Sequence, residues 1–283
     1  MSDFRPRVSR RLWLEQMIGG AAGMLLASCG GGPKPPISPG PVQTPPPPVP
    51  PPFSGGSPRL TARPQAPSSA LTPGAHALGL GGARDGLLYV PQNYTGADAI
   101  PLIVVLHGLG GNVGELNKIE VMPMVPETAD TFGVAFLFPE SRAMSPLGWD
   151  RSNGSFGPDI AFLDTAIGQT FTRLNVSPNR IAVWGFSDGA SYSLSMGLCN
   201  GDLFSHVAAF SPEYMSPPEP VGQPKVFVSH GRSDPFIPVA TSRDGIVPEL
   251  RNRGYAVDYV EVDGGHTIDP GARAQAIAAF LGA

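Results

Sequence analysis

The segment Gly185–Gly189, with the sequence GFSDG, has the clearest potential for chemistry in this 283-residue chain. It directly follows the apolar run Ile181–Trp184, and the small and apolar residues after it favour a helix. A serine between two glycines at such a junction can occupy a sharp strand-to-helix turn, because the flanking residues lack side chains. Such a turn exposes the hydroxyl, so we predict that Ser187 is a nucleophile.

A serine nucleophile needs a base and an orienting acid, because its hydroxyl reacts poorly on its own. For a serine on this kind of turn, the acid and then the histidine follow it along the chain. We therefore expect His266, in a glycine-rich loop after the β-like run Val257–Val262, to be the base. Asp234 follows the apolar run Val226–Val228 and is the expected acid. Four other aspartates after the serine compete for this role: Asp202, Asp244, Asp258 and Asp263.

Other polar residues near these motifs are predicted to be structural. His107 is expected to hold the glycine loop that it begins, and His230 to pack or hydrogen-bond beside the acid loop. Asp150 and Asp159 precede the serine, so the chain order argues against a role as the acid. They are expected to orient a loop or to cap the helix predicted near Ile160–Thr172.

A glycine-rich loop offers a site for a developing negative charge. The buried strand predicted at Leu102–Leu106 runs into His107–Gly111, with the sequence HGLGG. Glycines there let the backbone approach a substrate and direct an N–H group toward it. The second donor would be the amide of Asp188, the residue after the nucleophile. These two segments predict an oxyanion hole.

The pattern of elements predicts an α/β fold. Strand-like runs lie at Gly86–Val90, Leu102–Leu106, Val134–Phe138, Ile181–Phe186, Val207–Phe210, Lys225–Ser229 and Val257–Val262. Helical stretches lie near Met122–Asp130, Ile160–Thr172, Ala190–Cys199, Ala240–Asn252 and Ala272–Leu281. This alternation indicates a mostly parallel sheet with helices on both faces, and functional groups gather at the carboxyl ends of its strands. The 14 residues between Phe210 and Lys225 are too few for a large cap domain, so we expect an open cleft.

The N-terminus indicates export. Arginines precede an apolar segment, Met17–Ala27, that is too short to cross a membrane, which is typical of a secretory signal. Ser9–Leu14 is similar to the twin-arginine export motif. Leu26–Cys29 is similar to a bacterial lipobox, so Cys29 is the expected lipidated first residue of the mature protein. The alternatives are an uncleaved signal anchor or a coincidental cysteine.

A proline-rich segment follows this cysteine. Residues 33–67 contain 15 prolines in 35 positions, a composition that favours extended chain without a core. We therefore expect three regions: a signal peptide at 1–28, a lipidated cysteine with a disordered tether at 29–73, and a catalytic domain at 74–283. Cys199, the other cysteine, is expected to be a small buried residue of the domain.

Charge and composition exclude other classes of function. Residues 74–283 hold 12 basic and 21 acidic side chains, a balance that argues against nucleic acid as a partner. No cluster of cysteine and histidine in the sequence indicates a metal site, and we expect no cofactor. Contact with a membrane is expected only through the lipid anchor.

Four motifs together resemble a known family. They are LHGLGG at 106–111, GFSDG at 185–189, HGRSDPFIP at 230–238 and the pair Gly265-His266. They are similar to the phospholipase/carboxylesterase family of α/β-hydrolases, to which polyhydroxybutyrate depolymerase-like and feruloyl esterases are related. The resemblance spans nearly all of residues 80–283. Two positions depart from the family pattern, Asp188 where glutamine is frequent and Ala190 where glycine is frequent.

The resemblance implies a serine hydrolase that cleaves carboxylic esters through an acyl-enzyme. It implies Ser187 as nucleophile, Asp234 as acid and His266 as base, with the amides of Leu109 and Asp188 as the oxyanion hole. The residues expected to line the substrate cleft are Leu109, Trp149, Tyr214, Met215, Phe236 and Ile237. A depolymerase of polyester or plant-wall esters is the alternative within enzymes. A catalytically silent binding lipoprotein on the same scaffold is the alternative outside them.

Overall fold

A computed structural model describes residues 56–69, 71–82, 84–111, 125–142, 148–150 and 156–282. The expected signal peptide, Cys29, most of the proline-rich segment and the start of the first predicted helix lie outside the described residues. The strands are β1 (Gly74–Ala77), β2 (Gly86–Val90), β3 (Ile100–Leu106), β4 (Ala135–Pro139), β5 (Val176–Phe186), β6 (His206–Phe210), β7 (Lys225–Gly231) and β8 (Val257–Val262). The helices are α1 (Val125–Phe132), α2 (Pro158–Arg173), α3 (Asp188–Gly197), α4 (Val247–Asn252, after a π-helical turn at Thr241–Ile246) and α5 (Pro270–Leu281).

The described strands form one sheet in the order β1-β2-β4-β3-β5-β6-β7-β8. β1 and β2 pair antiparallel with their neighbours, and the strands from β4 to β8 pair in parallel. The predicted α/β class with a mostly parallel sheet is therefore confirmed. The edge strand β1 was not predicted, because its four-residue sequence GAHA contains no large apolar side chain. β5 begins earlier than predicted because Val176 pairs with Ile100 ahead of an irregularity in the ladder.

Helices cover both faces of the sheet. On β3, Leu102, Val104 and Leu106 belong to the apolar cluster that includes the buried faces of α2 and α3. Ile103 and Val105 point to the opposite face and join the cluster with α1 and α5. This division follows from the two-residue period of a strand buried on both sides.

The connection from β6 to β7, residues 211–224, contains no helix or strand. No cap domain is inserted there, as its short length predicts. In the part of the chain that the structure describes, no helix is both long and apolar enough to cross a membrane. Cys199 is buried, as expected.

The end of the proline-rich segment packs on the domain, which corrects the predicted extent of the tether. We call residues 57–63 the strap. Leu60 is 2% exposed and joins the core, and its N–H donates to Asn200 Oδ1 at 2.8 Å. Asn200 Nδ2 donates in turn to Pro58 O at 2.7 Å. The N–H groups of the two residues after Leu60 both donate to Asp164 Oδ1 at 2.7 Å. The strap contains no helix or strand, and the buried Asn200, the half-buried Asp164 and the packing of Leu60 fix it in place.

Candidate active site

Ser187 lies on a strained turn between β5 and α3. Its backbone has φ 56° and ψ −120°, a conformation that costs a non-glycine residue of order 1–3 kcal/mol. A Cβ on Gly185 would lie 2.0 Å from Gly189 O, and one on Gly189 would lie 2.3 Å from His107 O. Both positions therefore require glycine. The predicted sharp strand-to-helix turn is present.

Three predicted residues come together at the carboxyl edge of the sheet. His266 Nε2 lies 2.9 Å from Ser187 Oγ, and His266 Nδ1 lies 2.6 Å from Asp234 Oδ2. An ionised Asp234 accepts, so Nδ1 carries the proton and Nε2 is left to accept from the serine hydroxyl. Phe186 and Phe236 lie beside the imidazole, with ring centroids 4.8 and 5.4 Å away. This geometry can transfer the serine proton to the ring.

The carboxylate of Asp234 is held ionised by its loop. Oδ1 accepts the N–H groups of Phe236 and Ile237, both at 2.9 Å. Burial alone would raise the pKa of Asp234, but these two N–H groups and His266 hold the pKa below its ordinary value. A carboxylate that stays charged can orient the imidazole and stabilise its protonated form.

The acid and base loops are in direct backbone contact. A Cβ on Gly231 would lie 2.2 Å from Gly265 O, so this approach requires glycine. Next to it, His230 Nε2 donates to Ile237 O at 2.9 Å and Nδ1 accepts from Ser242 Oγ at 2.7 Å. Burial lowers the pKa of His230, which favours the neutral ring. His230 thus supports the acid loop, as predicted.

The rival aspartates have other surroundings. Asp202 pairs with Arg59 of the strap, Asp244 with Arg243, and Asp263 with Arg232, while Asp258 faces solvent on β8. Asp150 and Asp159 lie at the start of α2, where Asp150 Oδ2 accepts the N–H groups of Gly157 and Asp159 at 2.8 and 2.9 Å. Asp159 Oδ2 accepts the N–H of Asp150 at 2.6 Å, so Asp150 caps the start of α2 and Asp159 orients the preceding loop, the two roles expected for this pair.

The glycine loop after β3 forms a tight turn against Ser187. Gly111 N–H donates to Gly108 O at 3.0 Å, and Gly110 has φ +72°, which favours glycine at that place in the turn. A Cβ on Gly108 would lie 3.3 Å from Ser187 Cβ. Leu109, between these glycines, lines the same cleft as Ser187.

His107 fixes the direction of the Leu109 amide. Its Nε2 accepts from Ser141 N–H at 3.0 Å, so Nδ1 carries the proton and donates to Gly108 O at 2.7 Å. Burial lowers the pKa of His107 to about 4, which keeps the ring neutral. Gly108 C=O and Leu109 N–H belong to one trans peptide and point in opposite directions. Holding the carbonyl on the His107 side turns the Leu109 N–H away from it.

A cleft of about 520 Å³ opens over Ser187. Its lining residues are Gly108, Leu109, Phe186, Ser187, Asp188, Glu213, Phe236, Ile237 and His266. Leu109, Phe236 and Ile237 were predicted to line it, whereas Phe186 and Glu213 were missed. Phe186 lies inside the nucleophile motif and could have been proposed from that position.

The structure places three other residues that we expected in the cleft lining below the surface. Trp149 is 0% exposed, and Tyr214 and Met215 are also buried. Trp149 packs against the rings of His107 and Tyr192, with centroids 5.0 and 5.1 Å away. It supports the floor of the cleft rather than lining it. Among the described residues, no group of three or more His, Cys, Asp or Glu side chains could hold a metal ion.

Comparison with known proteins finds a family similar to the segment that holds the three residues. The phospholipase/carboxylesterase family model matches residues 159–281. A probable feruloyl esterase C of Aspergillus flavus is 30% identical over 158 residues, which cover 55% of this chain and 56% of the relative. The chain spans about half the length of the curated relatives it matches.

Solved structures share the fold. The ferulic acid esterase of the anaerobic fungus Anaeromyces mucronatus superimposes with a TM-score of 0.57 at 16% identity, covering 79% of this chain and 99% of that one. The esterase PE8 gives a TM-score of 0.54 at 21% identity, covering 69% and 96%. The chain therefore has the α/β-hydrolase fold of these esterases, and its segment 159–281 is similar to the phospholipase/carboxylesterase family.

Proposed function

We propose that this chain is a serine esterase that hydrolyses carboxylic esters through an acyl-enzyme. The observation that carries the proposal is the continuous hydrogen-bonded series from Ser187 through His266 to Asp234 at the edge of the cleft. A hydroxyl, an oriented imidazole and a buried carboxylate in this order are the requirements for nucleophilic attack on a carbonyl.

In the proposed mechanism, His266 Nε2 takes the proton of Ser187 as its oxygen attacks the ester carbonyl. The Asp234 carboxylate stabilises the resulting imidazolium, which then protonates the departing alcohol. The same imidazole then takes a proton from a water molecule as the water attacks the acyl-enzyme. The proton returns to Ser187 Oγ as the bond to the acyl group breaks and the acid leaves. The amides of Leu109 and Asp188 would bind the oxyanion of both tetrahedral intermediates. Loss of one such donor typically costs about 10²–10³ in rate.

Hydrolysis of p-nitrophenyl esters from acetate to palmitate tests this function. The full chain should hydrolyse part of the series, and Ser187→Ala should reduce the rate to background while its thermal unfolding stays cooperative. The chain length with the highest kcat/KM gives the acyl preference. A folded wild-type protein that turns over no ester of the series would favour a specialised polymer substrate or the silent binding lipoprotein instead.

An aromatic or plant-wall ester is a second candidate. It is favoured by a relative named as a probable feruloyl esterase, and by the exposed ring of Phe236, which with Phe186 borders the imidazole. Phe236→Ala should raise KM for methyl ferulate several-fold more than KM for p-nitrophenyl acetate. Equal effects on both substrates would argue against aromatic selectivity. A polyester, the other alternative, would show as release of soluble acids from polymer films.

We also propose that the enzyme is exported and anchored by a lipid on Cys29, with the proline-rich segment as a spacer up to the strap. The support is the sequence: the arginine pair, the short apolar segment and the lipobox-like Leu26–Cys29. Cys29→Ser should abolish incorporation of labelled palmitate and move the protein from the detergent phase to the aqueous phase. Unchanged labelling in that variant would contradict the anchor.

A further inference from the structure

An oxyanion hole works only if its two N–H donors keep a fixed separation. The donors stabilise the negative charge only when both already point at the position that the oxyanion will occupy. Here the donors come from different segments. The Leu109 amide belongs to the turn after β3, and the Asp188 amide belongs to the first residue of α3. The N–H groups of a helix's first turn have no partner within the helix and are available to a ligand. A residue outside both segments can therefore set the distance between the two amides.

The residue between the two segments is Trp149. Its backbone N–H donates to Asp188 Oδ2 at 2.8 Å, and its indole Nε1–H donates to His107 O at 2.8 Å. Both hydrogen bonds are buried, where an unpaired partner would cost about 1–3 kcal/mol. One residue thus ties the helix that carries one donor to the loop that carries the other.

The packing around this residue leaves little freedom. A Cβ on Gly148 would lie 2.5 Å from Asp188 Oδ2 and 2.8 Å from Leu109 Cδ1, so the chain passes directly against both donor residues. The Trp149 ring also contacts the ring of His107, which holds Gly108 O and hence the direction of the Leu109 amide. A shift of Trp149 would be transmitted to both donors.

We propose that Trp149 and the Asp188 side chain form a hydrogen-bonded bridge that sets the spacing of the two oxyanion-hole amides. Both are then positioning residues, and the inference rests on the proposed esterase function. Burial, together with the nearby Glu213 and Asp150, raises the pKa of Asp188 to about 6, although the hydrogen bond from the Trp149 N–H acts to lower it. Ionising a buried carboxyl costs free energy, so its presence here agrees with a need for an acceptor of the Trp149 N–H.

Kinetics of four variants of the full chain test the bridge. Trp149→Phe keeps an aromatic ring and removes the indole N–H, and Asp188→Ala removes the acceptor. Each should lower kcat on p-nitrophenyl butyrate about 10- to 100-fold and leave KM within about two-fold, because the oxyanion forms only after binding. Asp188→Asn should restore most of the rate lost in Asp188→Ala, since its amide oxygen can accept the same N–H. Trp184→Phe is the matched control, a buried tryptophan in the cluster on the other face of the sheet, and it should keep wild-type kcat.

Affinity for a boronic acid transition-state analogue should weaken in parallel with kcat in Trp149→Phe and Asp188→Ala. The double variant should lose little more than either single one, because both break the same bridge. If wild-type turnover depends on Ser187 but Trp149→Phe resembles Trp184→Phe in kcat, the bridge is wrong and the esterase stands. If wild-type turnover does not depend on Ser187, the proposed function fails first. Should Asp188→Ala not fold, the comparison of the two tryptophan variants still decides.

Discussion

At the residue scale, the carboxylate of Asp234 is distinguished from its rivals by what surrounds it. It accepts hydrogen bonds from two backbone N–H groups and from Nδ1–H of His266. The side chain of Asp263, three residues before that histidine, is instead 92% exposed and pairs with Arg232. A buried, hydrogen-bonded carboxylate can fix the tautomer of the ring, and an exposed one cannot.

Asp234→Asn should therefore lower kcat by about 10³–10⁴, because the side-chain amide can donate to Nδ1 and stabilise the wrong tautomer. Asp263→Asn, the matched control, should keep wild-type kcat, since Arg232 retains its contact with Glu261. Steady-state hydrolysis of p-nitrophenyl butyrate measures both. An Asp234→Asn enzyme with more than a tenth of wild-type kcat would assign the acid elsewhere.

The ionisation of Asp188 makes a separate prediction about stability. Its pKa is about 6 in the folded protein against an ordinary value of 3.8, so the folded state binds more protons between these two pH values. Stability then falls as pH rises through this window, by on the order of 3 kcal/mol once the group is fully ionised. Asp188→Asn has no such loss.

Urea unfolding at pH 4 and pH 7.5 checks this difference. The variant and the wild type should be about equally stable at pH 4, and the variant more stable at pH 7.5. The difference between the two proteins removes the pH dependence that comes from carboxyl groups present in both. Asp234 is one of them, and its lowered pKa makes stability rise with pH. A constant difference at both pH values would show that Asp188 does not titrate in this window.

At this scale the sequence predicted those residues whose role depends on chain order and on strand ends. Ser187, Asp234 and His266 each follow an apolar run, and the parallel sheet brings such ends to one edge. Trp149 could not be placed in the same way. Its residue type fits a cleft wall as well as a buried support, and only the three-dimensional packing against His107 and Tyr192 separates the two.

At the scale of elements, the packing of the strap on the domain could not be predicted from its proline-rich composition. Proline content predicted an extended tether, because such segments bury little apolar surface. One leucine and the side chains of Asn200 and Asp164, far along the chain, hold part of it on the domain. Those partners cannot be identified from the local pattern.

Leu60→Ala should lower the free energy of unfolding by about 2–4 kcal/mol, because it opens a cavity at a side chain that is 2% exposed. kcat on p-nitrophenyl butyrate should stay at the wild-type value, since the described residues that line the cleft include none of the strap. Leu71→Ala, at a half-buried leucine outside the strap, is the control and should cost less. Equal, small losses in both variants would mean that the strap is not part of the folded unit.

At the scale of the whole molecule, one sheet with an apolar cluster on each face holds all three candidate catalytic residues at its carboxyl edge. Alternating apolar runs predicted this architecture, because a parallel sheet must be covered on both sides. The short link from β6 to β7 predicted the absence of a large cap there. The cleft that results is bordered by two exposed apolar side chains, Leu109 and Phe236, which suits an ester with an apolar group.

The most direct test of the central claim is the site of covalent capture. The full chain would be treated with a fluorophosphonate, which reacts preferentially with an activated serine, and then analysed by intact and peptide mass spectrometry. We predict one adduct per chain, on the peptide that contains Ser187, with ester hydrolysis lost in proportion to labelling. Ser187→Ala should take up no label. An adduct on another serine, or full esterase activity in the labelled protein, would contradict Ser187 as the nucleophile.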